Sequence, residues 1–385
     1  MSELHWPLDP ALVTSPDEVR IARALYATPL RTDEAGRIRP GLCRSWRADS
    51  SFRVWRFECR NARAIASELH RVAALRASPA RWLFAGENIN AARGSVVVRL
   101  PFAWRRFPYA LTAIAAAPRG VRGPFRLVSR TSNAIEVRRG AKRLVFRRLG
   151  RLQLLRAVRA GRVDEAAIPF GDVGRFRGDA GLRVRRLLAV DLLVFRPPGI
   201  SHAIRRAYWD TTDRVDYQAL VAEGGAPAAY GIATPSASAD PAAFRRALGT
   251  IETLPPRRVR ISVPRAPVLQ YGVRLLLAQW REVGLGPVLV SGGAKHDAIF
   301  LRDAALYPQP EALLGPLGAF ALGPPDRPGG LRSLDAALRT SAVVIPVCWV
   351  ADARWVSPRL RGWREDVLGS VDYTRVRSPA RRPHR

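Results

Sequence analysis

The sequence predicts an α/β fold, and three stretches carry that expectation. At the N-terminal end, Ser15, Pro16, Asp17 and Glu18 set a cap residue, a proline at the first helical position and a glutamate three after the cap. Val19, Ala22, Leu25 and Tyr26 then share one helical face. Over 52–58, Phe52, Val54 and the Trp55 and Phe57 pair alternate as a strand does. Over 258–301, Val259, Ile261 and Val263 alternate with Arg258, Arg260 and Ser262, a helix runs from about Pro267 to Gly284, and Val288, Val290 and Asp297–Leu301 return as strands. A strand–helix–strand order calls for a sheet that is parallel in part.

The remaining elements follow in chain order. Thr32–Gly36 reads as a turn, 62–76 as a helix, and Val96–Val98 as a strand ended by Pro101. Gly123-Pro124 turns into a strand at Phe125–Val128, and Ile135–Val137 and Leu144–Phe146 continue the β pattern. Residues 151–160 are helical with Leu152, Leu155 and Val158 on one face, and Gly161 takes the C-terminal cap position. Leu192–Phe195 reads as a short buried strand broken by Pro197-Pro198, and Val343–Val347 as the last apolar strand. In the 258–301 helix, Tyr271, Leu275, Leu276, Trp280 and Val283 are expected to face inward. Trp280 therefore reads as a core residue.

A chain of 385 residues that is 48% hydrophobic is long enough for a large core, or for two cores joined by a hinge. The formal net charge is +31, and of 63 Lys and Arg residues only Lys142 and Lys295 are lysines. Such charge raises the idea of a polyanion partner. The arginines are spread along the whole chain, however, and a GC-rich coding sequence produces the same skew. Three cysteines, Cys43, Cys59 and Cys348, without a Cys-x-x-Cys argue against a disulfide framework or a zinc site. They leave one bridge open, with buried free thiols as the preferred reading. The opening MSELHWPLDP shows no basic region followed by an apolar stretch, so no signal peptide is expected in the chain as written. No apolar run approaches a membrane span.

A search for chemistry finds no catalytic constellation. His5, His70, His202, His296 and His384 are never at metal-ligand spacing. There is no nucleophile elbow and no P-loop. Gly284 and Gly286 follow a helix, the wrong context for a dinucleotide. Cys59 and Cys348 lack any local nucleophile signature, and His296-Asp297 fits a turn and a strand start better than an acid/base pair. No enzyme activity, cofactor or metal is expected.

A series of segments in colinear order resembles the family-5 solute-binding proteins of ABC importers, the peptide, nickel and oligopeptide type. It begins with Leu8-Asp9-Pro10-Ala11, a helix ending Ala24-Leu25-Tyr26, the turn Asp33-Glu34-Ala35-Gly36, then Arg39-Pro40-Gly41-Leu42 and Ser45-Trp46. The strand Val54-Trp55-Arg56-Phe57, then Gly123-Pro124-Phe125-Arg126-Leu127 and Ala160-Gly161-Arg162-Val163-Asp164 follow. Ile204-Arg205-Arg206-Ala207 with Asp213-Arg214, Gly225-Ala226-Pro227-Ala228, Tyr307-Pro308-Gln309-Pro310 and Ile345-Pro346 complete it.

The resemblance implies a two-lobed periplasmic-binding-protein-like fold with mixed sheets and a two-strand hinge that closes around a ligand. The crossings are expected near Leu193–Phe195 and Ile345–Val347. Lobe 1 is then 1–193 plus 346–385, with a trimmed subdomain at about 47–120, and lobe 2 is 194–345. The implied function is the solute-binding component of an ABC importer, with a peptide or small-molecule ligand and ABC permease subunits as partners. No nucleic acid is expected, and the membrane is met only through the permease. The implied location is periplasmic or cell-surface. The alternative is a degenerate solute-binding fold acting as a basic cytosolic polyanion-binding module. Ligand-facing candidates are Arg302, Asp303, Leu306, Tyr307 and Trp355, since aromatic side chains suit such clefts. Peptide-binding members often carry an aspartate at the place of Leu306, where it pairs the ligand's ammonium. Either Asp303 substitutes from one turn away, or the ligand has no free amine there.

Overall fold

A capping box starts the first helix, α1 (Pro16–Leu25): the Ser15 hydroxyl accepts the Glu18 N–H at 3.2 Å while the Glu18 carboxylate accepts the Ser15 N–H at 3.2 Å. The computed structural model describes residues 8–33, 35–196, 199–223, 225–232, 241–317 and 330–378. Glu34, the Pro197-Pro198 break, His5 and His384 lie outside the described residues. After α1 comes a hairpin of β1 (Leu30–Thr32) and β2 (Ile38–Pro40), closed by Asp33, whose carboxylate accepts the N–H groups of Ala35 and Arg37. Two motif glycines meet the end of α1. A Cβ on Gly41 would lie 2.4 Å from the Thr28 carbonyl oxygen, and one on Gly123 would lie 2.5 Å from the Tyr26 nitrogen. Only glycine lets backbone approach backbone this closely, so three separate sequence fragments form one junction.

Next, β3 (Cys43–Ala48), β4 (Val54–Cys59), α2 (Ala62–Ala74), α3 (Arg81–Phe84), β5 (Asn88–Ala92) and β6 (Ser95–Arg99) form a small layer pair. The antiparallel sheet runs β3-β4-β6-β5. Its inner face, with Trp55, Phe57, Val96 and Val98, packs on Ile65, Leu69 and Val72 of α2 and on Trp104 and Phe107. Cys43 stands directly opposite Cys59 on β3 and β4, and the two form a disulfide. This corrects the expectation of free thiols: sixteen residues apart in sequence, the two positions are brought together by strand register. Cys348 is buried and free. Reducing the bridge, or Cys43→Ser with Cys59→Ser, is expected to lower stability by about 3 kcal/mol through the freed loop. Urea unfolding with and without reductant reads this directly.

β7 (Arg126–Arg130), β8 (Ala134–Arg139) and β9 (Lys142–Arg147) form a three-stranded antiparallel sheet. α4 (Arg151–Arg159) follows, and Gly161 at φ +62° ends it as expected. β10 (Glu165–Ala167) leads on to β11 (Leu182–Phe195). Then come α5 (His202–Thr211), α6 (Arg214–Leu220), α7 (Pro241–Thr253), β12 (Arg258–Ser262), α8 (Pro267–Glu282), β13 (Gly286–Val290), β14 (Ala298–Ala304), α9 (Glu311–Leu314), α10 (Gly330–Ser341) and β15 (Val344–Val356).

One six-stranded mixed sheet, in the order β10-β15-β11-β14-β12-β13, organises this half. β12 pairs in parallel with both β13 and β14, as the strand–helix–strand pattern requires. β11 and β15 are antiparallel partners of 14 and 13 residues. Both are far longer than the short apolar runs in the sequence, because each continues past its buried half into a polar one. Arg183, Arg185 and Arg186 extend β11 on an exposed surface that hydrophobicity does not mark. The ladder between the two strands breaks register between Arg186 and Val190 and again between Asp191 and Leu192. α8 buries Leu269, Val273, Leu276, Leu277 and Trp280, but Tyr271 is 45% exposed and meets the Phe170 ring at 5.4 Å, which corrects its inward assignment.

Candidate functional site

β14 ends where the sheet meets the small N-terminal layer pair, and the strand's period of two splits its last residues between two environments. Arg302 takes the face of Ala298 and Phe300. It grips its cross-strand neighbour Asp191 bidentately, at 2.7 and 2.9 Å. The Tyr217 hydroxyl donates to the same carboxylate at 3.0 Å. On the other side of Asp191 lies Cys348, whose thiol burial pushes up to about 12. This arrangement ties β14, β11, β15 and α6 together, and a thiol held so high is not a nucleophile at neutral pH.

Asp303 takes the opposite face. Its cross-strand neighbour is Val190, and Val190 in turn faces Trp349. The carboxyl is therefore set in an apolar row at 8% exposure, and its Oδ2 has no hydrogen-bond partner. Burial pushes its pKa up to about 7, against a smaller lowering by the Ala304 backbone N–H. A carboxylate without a partner at this depth is costly unless an opposite charge arrives.

The chain then turns. Leu306 is half-buried, and Tyr307 is fully buried with its ring centroid 6.4 Å from each of Trp82 and Trp104. Glu311 of α9 reaches Arg106 at 3.3 Å. Gly315 leaves room for the Trp82 ring, which a Cβ there would approach to 2.1 Å. The turn after β14 is thus docked on the small layer pair by aromatic packing and one ion pair.

The structure brings Asp303, Leu306 and Tyr307 together at this turn. Arg302 lies on the other face of the strand. Trp355 lies at the far end of β15, opposite Leu182 and Ala166, with its indole N–H donated to the Asp179 carboxylate at 3.3 Å. His296 and Asp297 do not act as a pair: Asp297 clamps the Arg260 guanidinium at 2.9 and 3.0 Å and accepts the Arg260 N–H at 2.9 Å. Asp191 and Tyr217 were not apparent in the sequence. An aspartate inside the apolar run Val190–Phe195 was the available signal, because a buried charge there needs a partner.

The Asp213-Arg214 motif also gains a physical reason. Asp213 caps α6 through the N–H groups of Val215 and Asp216 at 3.0 Å. Arg214, buried, donates to the carbonyls of Ala229, Pro346, Trp209 and Thr212 at 2.9–3.2 Å, and so pins segment 225–232 along β15. Among the described residues no group of three or more His, Cys, Asp or Glu is placed to hold a metal ion.

No protein-family model and no curated protein matches the chain. Solved structures do. The murein tripeptide binding protein MppA of Escherichia coli superposes with a TM-score of 0.78 at 15% identity, over 95% of this chain and 96% of that one. OppA of Haemophilus influenzae, solved in complex with RPPGFSPFR, gives 0.77 at 15% identity over 96% of both chains. A dipeptide binding protein of Pseudoalteromonas sp. SM9913, solved with Met-Leu, gives 0.78 at 13% identity over 97% of both. The fold is therefore the two-lobed one of the peptide-binding proteins, as the colinear motifs imply.

Proposed function

We propose that this chain is the solute-binding component of an ABC importer, capturing a peptide or similar small solute between two lobes by hinge closure. The observation that carries the reading is the superposition, over nearly the whole chain, on structures whose names describe a tripeptide binding protein, a complex with RPPGFSPFR and a dipeptide binding protein in complex with Met-Leu. In this reading lobe 1 comprises residues 1–193 and 346–385, with the small layer pair at about 47–120, and lobe 2 comprises 194–345. The two crossings are those near Leu193–Phe195 and Ile345–Val347, next to the register break between Asp191 and Leu192 in the β11–β15 ladder.

The ligand meets the turn after β14. Leu306 offers no charge there, so the counter-charge to a ligand ammonium is assigned to Asp303, three residues earlier. Its buried, unpartnered Oδ2 supports that role. Leu306 and Tyr307 supply apolar wall, and Arg302 acts through Asp191 by fixing β14 against β11. Trp355 is given no part in this contact. No catalytic role is assigned to any residue. The partners are ABC permease subunits, and the place of work is periplasmic or cell-surface. The disulfide supports an oxidising compartment, and no helix among the described residues is long and apolar enough to cross a membrane.

A panel of di- to nonapeptides, each with a free and with an acetylated N-terminus, tests the reading by thermal shift. Free-amine peptides are expected to raise Tm by several degrees at millimolar concentration, and acetylated ones much less. Equal shifts for both would remove the ammonium assignment, and no shift across the panel would remove the peptide-binding reading.

A further inference from the structure

β9 and β10 are joined through α4, the kind of connection that sets two strands side by side in one sheet. Among the described residues no ladder joins them. β9 pairs with β8 alone and ends the three-stranded sheet, and β10 pairs with β15 alone and ends the six-stranded one. A cavity of about 510 Å³ takes its lining from every residue of both strands. Leu154, Val163 and Leu360 add apolar wall beside Leu144 and Phe146. Two sheet edges thus face one cavity, each with main-chain groups directed away from its single neighbour.

Most polar side chains of the wall are already engaged. Glu165 accepts the Trp363 N–H at 2.8 Å and the Tyr373 hydroxyl at 2.9 Å, and it is paired with Arg20. Lys142 spends its ammonium on the carbonyls of Tyr373, Thr374 and Val376 at 2.5–3.0 Å. A small polar solute would find few free side-chain groups, whereas an extended main chain would find two strand edges. Six cationic side chains and three carboxylates line the cavity. Of the cations Arg143, Arg147 and Arg162 are exposed, and Arg143 is paired with Glu136. The charge complement of that lining is acidic.

We propose that the gap between β9 and β10 takes up one extended polypeptide strand from a partner protein, apolar on one face and acidic on the other, held by main-chain pairing on both sides. The site shares no residue with the Asp303–Tyr307 turn, so it stands or falls apart from solute capture between the lobes.

Hydrogen–deuterium exchange on the full chain tests it, with the capped probe acetyl-(Val-Glu)3-Val-amide, which has no free ammonium. In the protein alone the amides of β9 and β10 that point away from β8 and β15 are expected to exchange fast. With the probe they slow at least tenfold, while the turn after β14 is unchanged. Arg147→Glu, an exposed substitution without consequence for folding, weakens the probe at least tenfold, and Ala167→Trp fills the gap and abolishes protection. Protection of both edges before any probe is added would mean that the chain fills its own gap, and would overturn the proposal. So would protection confined to the turn after β14, or none at all.

Discussion

Arg20→Met is expected to cost about 3–5 kcal/mol of folding stability, the scale for removing one partner from a buried ionic cluster. Arg20 is 2% exposed on α1, yet its guanidinium reaches β10, β15 and the C-terminal segment. It pairs with Glu165 and Glu365, lies 3.5 Å from Asp352, and donates to the Gly369 carbonyl at 2.7 Å. Arg354 completes the cluster, with Asp352 at 2.7 Å, Asp17 at 2.8 Å and Glu165 at 3.3 Å. Two guanidinium groups therefore serve four carboxyl groups.

The imbalance shows in Glu365, whose carboxyl burial, with Asp352 beside it, pushes up to about 8. The native state then holds a proton that the unfolded chain releases near 4.5, so this group's contribution to stability falls as pH rises from about 4.5 to about 8. Without Arg20, Glu165 and Glu365 keep their burial and lose their main counter-charge. Adding Glu365→Gln to Arg20→Met should return at least half of the loss, a coupling that a double-mutant cycle in urea measures. If the single variant unfolds at the wild-type midpoint, the cluster is not what joins α1 to the C-terminal segment.

None of that cluster is legible in the sequence, although each residue is. Asp17 reads as a first-turn acid and Arg20 as a polar helix position, because helical periodicity places side chains on a face without saying what covers it. The cover comes from residues more than 140 positions away. Local features were legible where local physics decides them. The capping box of α1, the Gly161 stop of α4 and the parallel pairing of β12 with β13 and β14 all follow from short-range pattern. The full lengths of β11 and β15 were not, because β11 begins with Arg183, Arg185 and Arg186 on an exposed face and the apolar run of β15 is interrupted by Asp352 and Arg354. The Cys43–Cys59 bridge was missed for a related reason. Spacing alone cannot show that two cysteines sit opposite each other on adjacent strands.

At the candidate site the resemblance pointed to the turn after β14, and the period of the strand sorts its residues. Asp303 and Arg302 are neighbours in sequence but belong to opposite faces, one left without a partner at Oδ2 and one fully engaged with Asp191. Trp355 is eleven positions beyond Val344 on the same long strand, and a strand of that reach delivers it to the packing around α4. Only the true length of β15 separates it from the turn after β14.

Asp303→Asn is expected to move stability and binding in opposite directions. In the free protein the carboxyl, pushed up to about 7, keeps its proton through a range where the unfolded chain has lost it. Its share of stability therefore falls as pH rises from about 4 to about 7. The amide has no such proton to lose, so the variant should match the wild type near or below pH 4, melt above it at pH 8.5, and show a flatter profile between. Binding of a free-amine peptide requires the ionised carboxylate. Affinity should rise through pH 7 and decline again once the peptide's own amine deprotonates, near 8. In the variant that rise disappears, and affinity at pH 7.5 falls on the order of 100-fold, about 2.7 kcal/mol. Titration calorimetry at three pH values, beside thermal melts of the same samples, separates the cases. A carboxyl that merely supports the fold would lower both stability and affinity when changed, whereas a counter-charge awaiting its ligand gains the first and loses the second.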